Sequence, residues 1–166
     1  MGCGLGVCLR VIGASGIPGG HSTNWVGFLK CEKFDHNIAR QVPMINFVDG
    51  TNIALDYGRQ VQAVHVSGQC SEEGETVDGD VIATKQDLET FAWLDWGMTS
   101  AGRIAIYWVE NGIWYFVEGK VSALAFGHDP SNAKWWIFKL DLNGASIKSG
   151  ADATIKQQGT PWQVVP

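Results

Sequence analysis

The segment from Arg103 to Lys120 constrains the fold more than any other, because it is centred on Asn111-Gly112, the strongest turn signal in the chain. A two-residue type I′ turn needs positive φ at both central positions, and Asn followed by Gly tolerates that. The flanking residues alternate as strands do. Ile104, Ile106 and Trp108 share one face of the first strand, with Ala105, Tyr107 and Val109 on the other. In the second strand Ile113, Tyr115 and Val117 oppose Trp114 and Phe116. Both faces are apolar. A hairpin with one side in water alternates polar with apolar residues, so this one requires cover on both sides.

The rest of the chain offers mostly further strands. Leu5, Val7, Leu9 and Val11 alternate, and Gly13 to Gly20, with Pro18, predicts a loop. Strand-rich stretches run from Asn24 to Lys33 and from Asn52 to Ser67, joined through Pro43 and an Asp49-Gly50 turn, with a second bend at Asp56 to Arg59. Val121 to Phe126 predicts another strand, followed by a turn from Gly127 to Asn132. In Lys134 to Leu142, Trp136, Phe138, Leu140 and Leu142 point one way. One helix is expected at about residues 85–96. Thr84 caps it with Asp87 at the third position, Leu88, Phe91, Ala92 and Trp96 form an apolar stripe, and Gly97 ends it. A helix of about 12 residues spans only about 18 Å, too little to cover four strands. The expected fold is therefore mainly β, an antiparallel β-sandwich or barrel with one flanking helix.

At 166 residues the chain is read as a single domain, 1–166. It divides into a Gly-rich N-terminal segment 1–23, a β core 24–142 and a poorly patterned segment 143–166. In the last of these, Trp162-Gln163-Val164-Val165 either adds a strand to a neighbour or frays.

Charged residues make up 17% of the chain, against about 25% in ordinary domains. The net charge of −5, with scattered Lys and Arg, argues against a tight binder of duplex DNA or anionic membrane. No apolar run is long enough for a membrane span, and the start lacks a signal-peptide pattern, which predicts a soluble chain made in the cytoplasm. Cys3, Cys8, Cys31 and Cys70 contain no CxxC spacing and are expected as free thiols, not zinc ligands. Met1-Gly2-Cys3 fails the myristoylation pattern at Gly6. Ser71 to Asp80 predicts a solvated acidic loop, and its Asp78-Gly79-Asp80 supplies only part of a calcium loop.

Catalytic patterns are missing. There is no GxxxxGK loop, dinucleotide fingerprint or HExxH, and Ser15, Ser67 and Ser100 lack the GxSxG elbow. His21, His36, His65 and His128 are far apart in sequence, His65 being read as a packed strand residue. Asp87, Glu89 and Asp95 on the helix lack a pairing partner. No catalytic residue, cofactor or metal site is expected.

What stands out instead is more apolar strand surface than one molecule can hide. Eight tryptophans, few charges and weakly guarded strands predict self-assembly, through a surface comprising Tyr107, Trp108, Trp114, Phe116 and Trp135. The alternative is a glycan-binding β-sandwich module using Trp135-Trp136 as a stacking platform.

The order of features also resembles a known family. Arg40-Gln41-Val42-Pro43, then Asp49-Gly50-Thr51, then Leu55-Asp56-Tyr57-Gly58-Arg59 leading into Val64-His65-Val66-Ser67-Gly68 is similar to the opening half of tail proteins of long-tailed phages and archaeal tailed viruses. A single helix, Ile113 to Val121 and Trp136-Ile137-Phe138-Lys139-Leu140 then resemble the closing sheet of tail tube and distal tail proteins. The resemblance covers roughly residues 24 to 142. The Gly-rich start and the high Trp count lie outside it. It implies a structural virion protein of the tail, made in the host cytoplasm. Copies would form rings, commonly hexameric, stacked into a tube that conducts DNA without tight binding and meets other tail proteins. It further implies an inter-ring loop at Gln69 to Val81, with Glu72, Glu73, Glu75, Asp78 and Asp80. Tube, baseplate or distal, and minor tail roles stay open.

Overall fold

The computed structural model describes residues 6–12, 24–40, 43–54, 60–77, 79–96, 103–128, 130–145 and 157–161. The expected loop at Gly13 to Gly20, the bend at Asp56 to Arg59 and the Trp162 to Val165 stretch lie outside them. The strands are β1 (Val7–Ile12), β2 (Asn24–Phe28), β3 (Lys30–Arg40), β4 (Met44–Asn46), β5 (Asn52–Ala54), β6 (Gln60–Ser71), β7 (Glu75–Val77), β8 (Asp80–Ile82), β9 (Arg103–Glu110), β10 (Ile113–His128), β11 (Trp135–Ala145) and β12 (Gln157–Gln158). The helix α1 spans Lys85–Trp96.

Nine strands follow one another in the order β3-β6-β11-β10-β9-β1-β2-β8-β7, with β12 added at β10 and β4-β5 forming a separate pair. The nine make a curled half-barrel with one short helix, a mainly β fold as expected. The fold is organised by β10. Its first part, Ile113 to Gly119, pairs with β9, and its second part, Lys120 to His128, pairs with β11. What the sequence pattern divides into two strands is thus one 16-residue strand shared by two halves of the sheet. The strands approach closely where it changes partner. A Cβ on Gly119 would stand 2.3 Å from the Asn143 carbonyl oxygen, and one on Gly144 would stand 2.3 Å from Val117 Cγ1, so only glycine fits at either place. A register shift between Val121 and Ala123 adds local twist.

The curl brings β3 round to face β9. Phe34 and His36 lie against Trp108, with ring centroids 5.3 and 4.8 Å apart. Between the two halves lies the main core, including Leu9 and Val11 of β1, Ile104, Ile106 and Trp108 of β9, Val64 and Val66 of β6, and Phe138, Leu140 and Leu142 of β11. These are the alternate positions that the period-two pattern assigned to one face. The helix adds Leu88 and Phe91 to this core, and Phe91 meets Trp25 at 4.3 Å. Its start is a reciprocal capping box: Asp87 N–H donates to Thr84 Oγ1 at 3.1 Å, and Thr84 N–H donates to Asp87 Oδ2 at 2.9 Å. Glu89, read as unpaired, accepts from Lys85 one turn earlier.

Three further expectations need correction. The Asn111-Gly112 turn forms with positive φ at both residues (51° and 76°), but the second face of its hairpin is not left open. Cys8, Phe28, Ala105, Tyr107 and Phe116 are buried there in a second cluster, with Trp114 beside it. The acidic segment is not a loop throughout. β7 and β8 pair around Gly79 (φ 85°), and β8 meets β2 at Phe28–Ile82, because Val81 and Ile82 supply the apolar residues that an acidic composition masks. β1 lies between β9 and β2, so the sheet begins within the N-terminal segment set apart from the core.

Candidate assembly surface

The connection from β3 to β6 carries a feature that the main sheet does not absorb. Arg40 and Gln60 are register partners, yet the chain between them extends into the β4–β5 hairpin, paired Met44–Ala54, Ile45–Ile53 and Asn46–Asn52. All of residues 43–54 are exposed. The tip is well formed. Phe47 N–H donates to the Thr51 carbonyl at 2.8 Å, Gly50 N–H donates to the Phe47 carbonyl at 3.0 Å, and Asp49 Oδ1 accepts from the Thr51 hydroxyl and N–H. Those hydrogen bonds, the hydroxyl first, hold the Asp49 carboxyl below its ordinary pKa. Met44, Ile45, Phe47, Val48 and Ile53 each expose two-fifths or more of their surface, Val48 completely. A two-stranded hairpin of three residues per strand is marginal by itself, and so much exposed apolar surface on one arm makes it the candidate site. Sequence reasoning missed it. Its signal is a stretch, Pro43 to Ala54, that is rich in large apolar residues and has Asp49 as its sole charge.

The sheet also ends in two unlike edges. Among the described residues β3, of 11 residues, pairs on one side with β6, and β7, of 3 residues, pairs on one side with β8. On the outer face of the β3 half, Asp35, His65 and Asp141 form one cross-strand row, and Lys33, Ser67 and Lys139 form the next. His65 is therefore not packed in the core but half-exposed, with Nδ1 2.6 Å from Asp141 Oδ1. Lys33 pairs with Asp35 at 3.1 Å. Ser67 shares this face with His65, between Lys33 and Lys139, and no hydrogen bond joins Ser67 to His65 among the described residues.

The residues expected on the assembly surface divide sharply. Tyr107, Trp108 and Phe116 are buried within the chain, at 0%, 3% and 1% exposure. They serve as core residues here, since the curl covers one side of the hairpin and the second cluster closes the other. Trp114 and Trp135 are partly buried. Burial also pushes the Tyr107 hydroxyl pKa up, opposed by its hydrogen bond with Arg10. Of the acidic set, Glu72 and Glu73 are exposed, Glu75 and Asp80 are partly buried at the β7–β8 pair, and Asp78 lies outside the described residues. Glu72 accepts a hydrogen bond from Trp136 Nε1 at 3.1 Å.

The proposed stacking platform is partly occupied. The Lys30 ammonium stands 3.9 Å from the centre of the Trp135 ring, the Lys85 ammonium stands 4.9 Å from that of Trp136, and His128 meets Trp136 edge-on. Cys8, Cys31 and Cys70 are free thiols. Burial pushes Cys70 up to about 11 and also raises Cys31.

The sequence matches no family model and no curated protein. Among solved structures the chain is similar to one in the cryo-EM structure of the anti-feeding prophage baseplate, 6-fold symmetrised. The identity is 9% over 95% of this chain and 94% of that chain, with a TM-score of 0.49. It is also similar to a chain in the virion of a native gene transfer agent particle (5% identity, 71% and 85% covered, TM-score 0.44). A third similar chain belongs to the tail of an empty gene transfer agent particle, computed with C6 symmetry (9% identity, 84% and 92% covered, TM-score 0.45).

Proposed function

We propose that this chain is a structural subunit that assembles with copies of itself into rings, stacked as the tube of a tail-like particle. The observation that carries the reading is the β4–β5 hairpin, an ordered arm that holds Met44, Ile45, Phe47, Val48 and Ile53 in water. Such an arm gains stability when a neighbour covers it. The two unlike edges, β3 and β7, fit the same reading. An interface that joins different surfaces of identical copies is heterologous, and it closes into a ring when its rotation allows. The tail setting follows from the resemblance carried by residues 24 to 142. In it the acidic β7–β8 end, with Glu72, Glu73, Glu75 and Asp80, serves as the contact to the adjacent ring. Partly buried Trp114 and Trp135 complete the subunit interface. The net charge of −5 disfavours tight contact with phosphates, as a DNA conduit requires.

The test compares the wild-type chain with Ile45→Asp and Phe47→Asp by mass photometry and negative-stain microscopy. Rings or tubes are expected from the wild type, and single chains with unchanged circular dichroism from the variants. A wild-type chain that remains single at its solubility limit refutes the reading. Rings that do not stack would make it a baseplate or distal ring instead of a tube subunit.

A further inference from the structure

Phe28, Cys8, Tyr107 and Phe116 stand in one cross-strand row on the second face of the sheet, on β2, β1, β9 and β10, each no more than 5% exposed. The row continues to Gln157 of β12, the register partner of Phe116. The pairing runs on through Gln158, the partner of Tyr115. Gly159 N–H donates to the Trp114 carbonyl at 3.2 Å, and Gly159 lies so close to the Phe116 ring that a Cβ would stand 3.2 Å from it. The Thr160 carbonyl accepts from Arg10 Nη1 at 3.3 Å, and the same guanidinium donates to the Tyr107 hydroxyl at 3.4 Å. Pro161 is buried. Five residues thus run from the edge of β10 onto an apolar row anchored by β1 and β9.

Two features of the strap, with the identity of the copies, favour its exchange. Its ladder holds two residues, against seven in the β9–β10 ladder and eleven in the β6–β11 ladder. β11 and β12 lie along the same edge of β10, where Asn143 faces Lys120 and Gln157 faces Phe116. The four residue steps between those positions on β10 cover about 13 Å. The fourteen steps of chain from Asn143 to Gln157 reach as far as about 46–50 Å, more than the roughly 40 Å breadth of a globular chain of this length. Finally, every copy presents the same row and the same Arg10, so a strap released from its own subunit fits the next without any new contact.

We propose that residues 157–161 are exchanged between subunits on assembly, the strap of one copy lying on the Tyr107–Phe116 row of its neighbour. The inference rests on the self-assembly reading and names a contact that the neighbour donates. The single chain is then self-capped, and assembly starts when straps open.

Tyr115→Cys combined with Gln158→Cys tests this, because the two positions are register partners. Particles are assembled under reductant, oxidised, and run on a denaturing gel without reductant. Exchange gives covalent dimers and larger ladders that neither single variant gives. Particles that yield only monomer-sized bands overturn the strap and leave self-assembly standing. A chain that forms no particles overturns both. If the cysteine pair does not fold, a photoreactive side chain at Gln158 gives the same readout in particles made from light and heavy-isotope chains. Cross-links to residues 113–119 of the other isotope are expected, and links confined to one isotope overturn the proposal.

Discussion

Replacing Phe116 with alanine, and separately Phe47 with alanine, places one chemical change on two apolar surfaces that differ completely in exposure. Phe116 is 1% exposed, stacks on Tyr107 with centroids 4.7 Å apart and planes 22° from parallel, and has Gly159 against its ring. Hydrogen-bonded strands on both sides of it cannot collapse into the space left behind, so the loss belongs to the usual range for a buried Phe→Ala, about 3–5 kcal/mol. Total stability for a domain of this kind is about 5–15 kcal/mol. With a urea dependence of roughly 2 kcal/mol per molar, the unfolding midpoint falls by roughly 2 M. Phe47 is 47% exposed on the hairpin arm, and its truncation costs less than about 1 kcal/mol, a midpoint change within roughly 0.5 M. The assay is urea unfolding followed by tryptophan fluorescence at a concentration where the chain is single. Equal shifts for the two variants, or a Phe116 shift under 0.5 M, would refute the distinction between a buried second face and an exposed arm.

Thr84→Ala and Asp87→Ala each remove one bond of the reciprocal cap and cost about 1 kcal/mol in thermal unfolding. The double variant costs less than the sum, whereas strict additivity would mean that the two bonds do not act as a unit. Cys70, pushed from an ordinary value of 9.0 to about 11 chiefly by burial, is modified by iodoacetamide at pH 8 far more slowly than in the urea-unfolded chain, at a rate that rises about tenfold per pH unit. The unfolded thiol releases its proton near pH 9 and the folded one near 11, so this group's contribution to stability is complete below 9 and is lost as pH rises to 11. Equal labelling of folded and unfolded chains at pH 8 would show that the thiol is not buried.

Local chemistry was readable wherever neighbouring residues decide it. The Asn111-Gly112 turn and the Thr84–Asp87 cap need only a few consecutive residues, and α1 spans Lys85–Trp96, the stretch its apolar pattern marks. The facing of Ile104, Ile106 and Trp108 follows from period two alone. His65 was harder. A histidine between two valines reads as packed, but whether its own face is inner or outer depends on which side the second half of the sheet covers, and Asp141 is 76 residues away. The hairpin arm was hidden for a related reason. Met44, Ile45 and Ile53 have the composition of a core strand, and only the path of β3 into β6 puts them outside the core.

Alternation and turn chemistry act over a few residues, and they are enough to make this chain mainly β, to place α1 and to require cover on both sides of the central hairpin. What does the covering is set by contacts between distant elements. Whether an apolar side chain meets its own chain or water depends on the change of partner along β10 at Gly119, the curl of β3 over Trp108 and the return of residues 157–161 to Arg10. Those contacts join residues up to 150 positions apart, so no window of sequence contains both partners. That is why Tyr107, Trp108 and Phe116 of the central hairpin lie inside and the shorter apolar stretch from Met44 to Ala54 faces out.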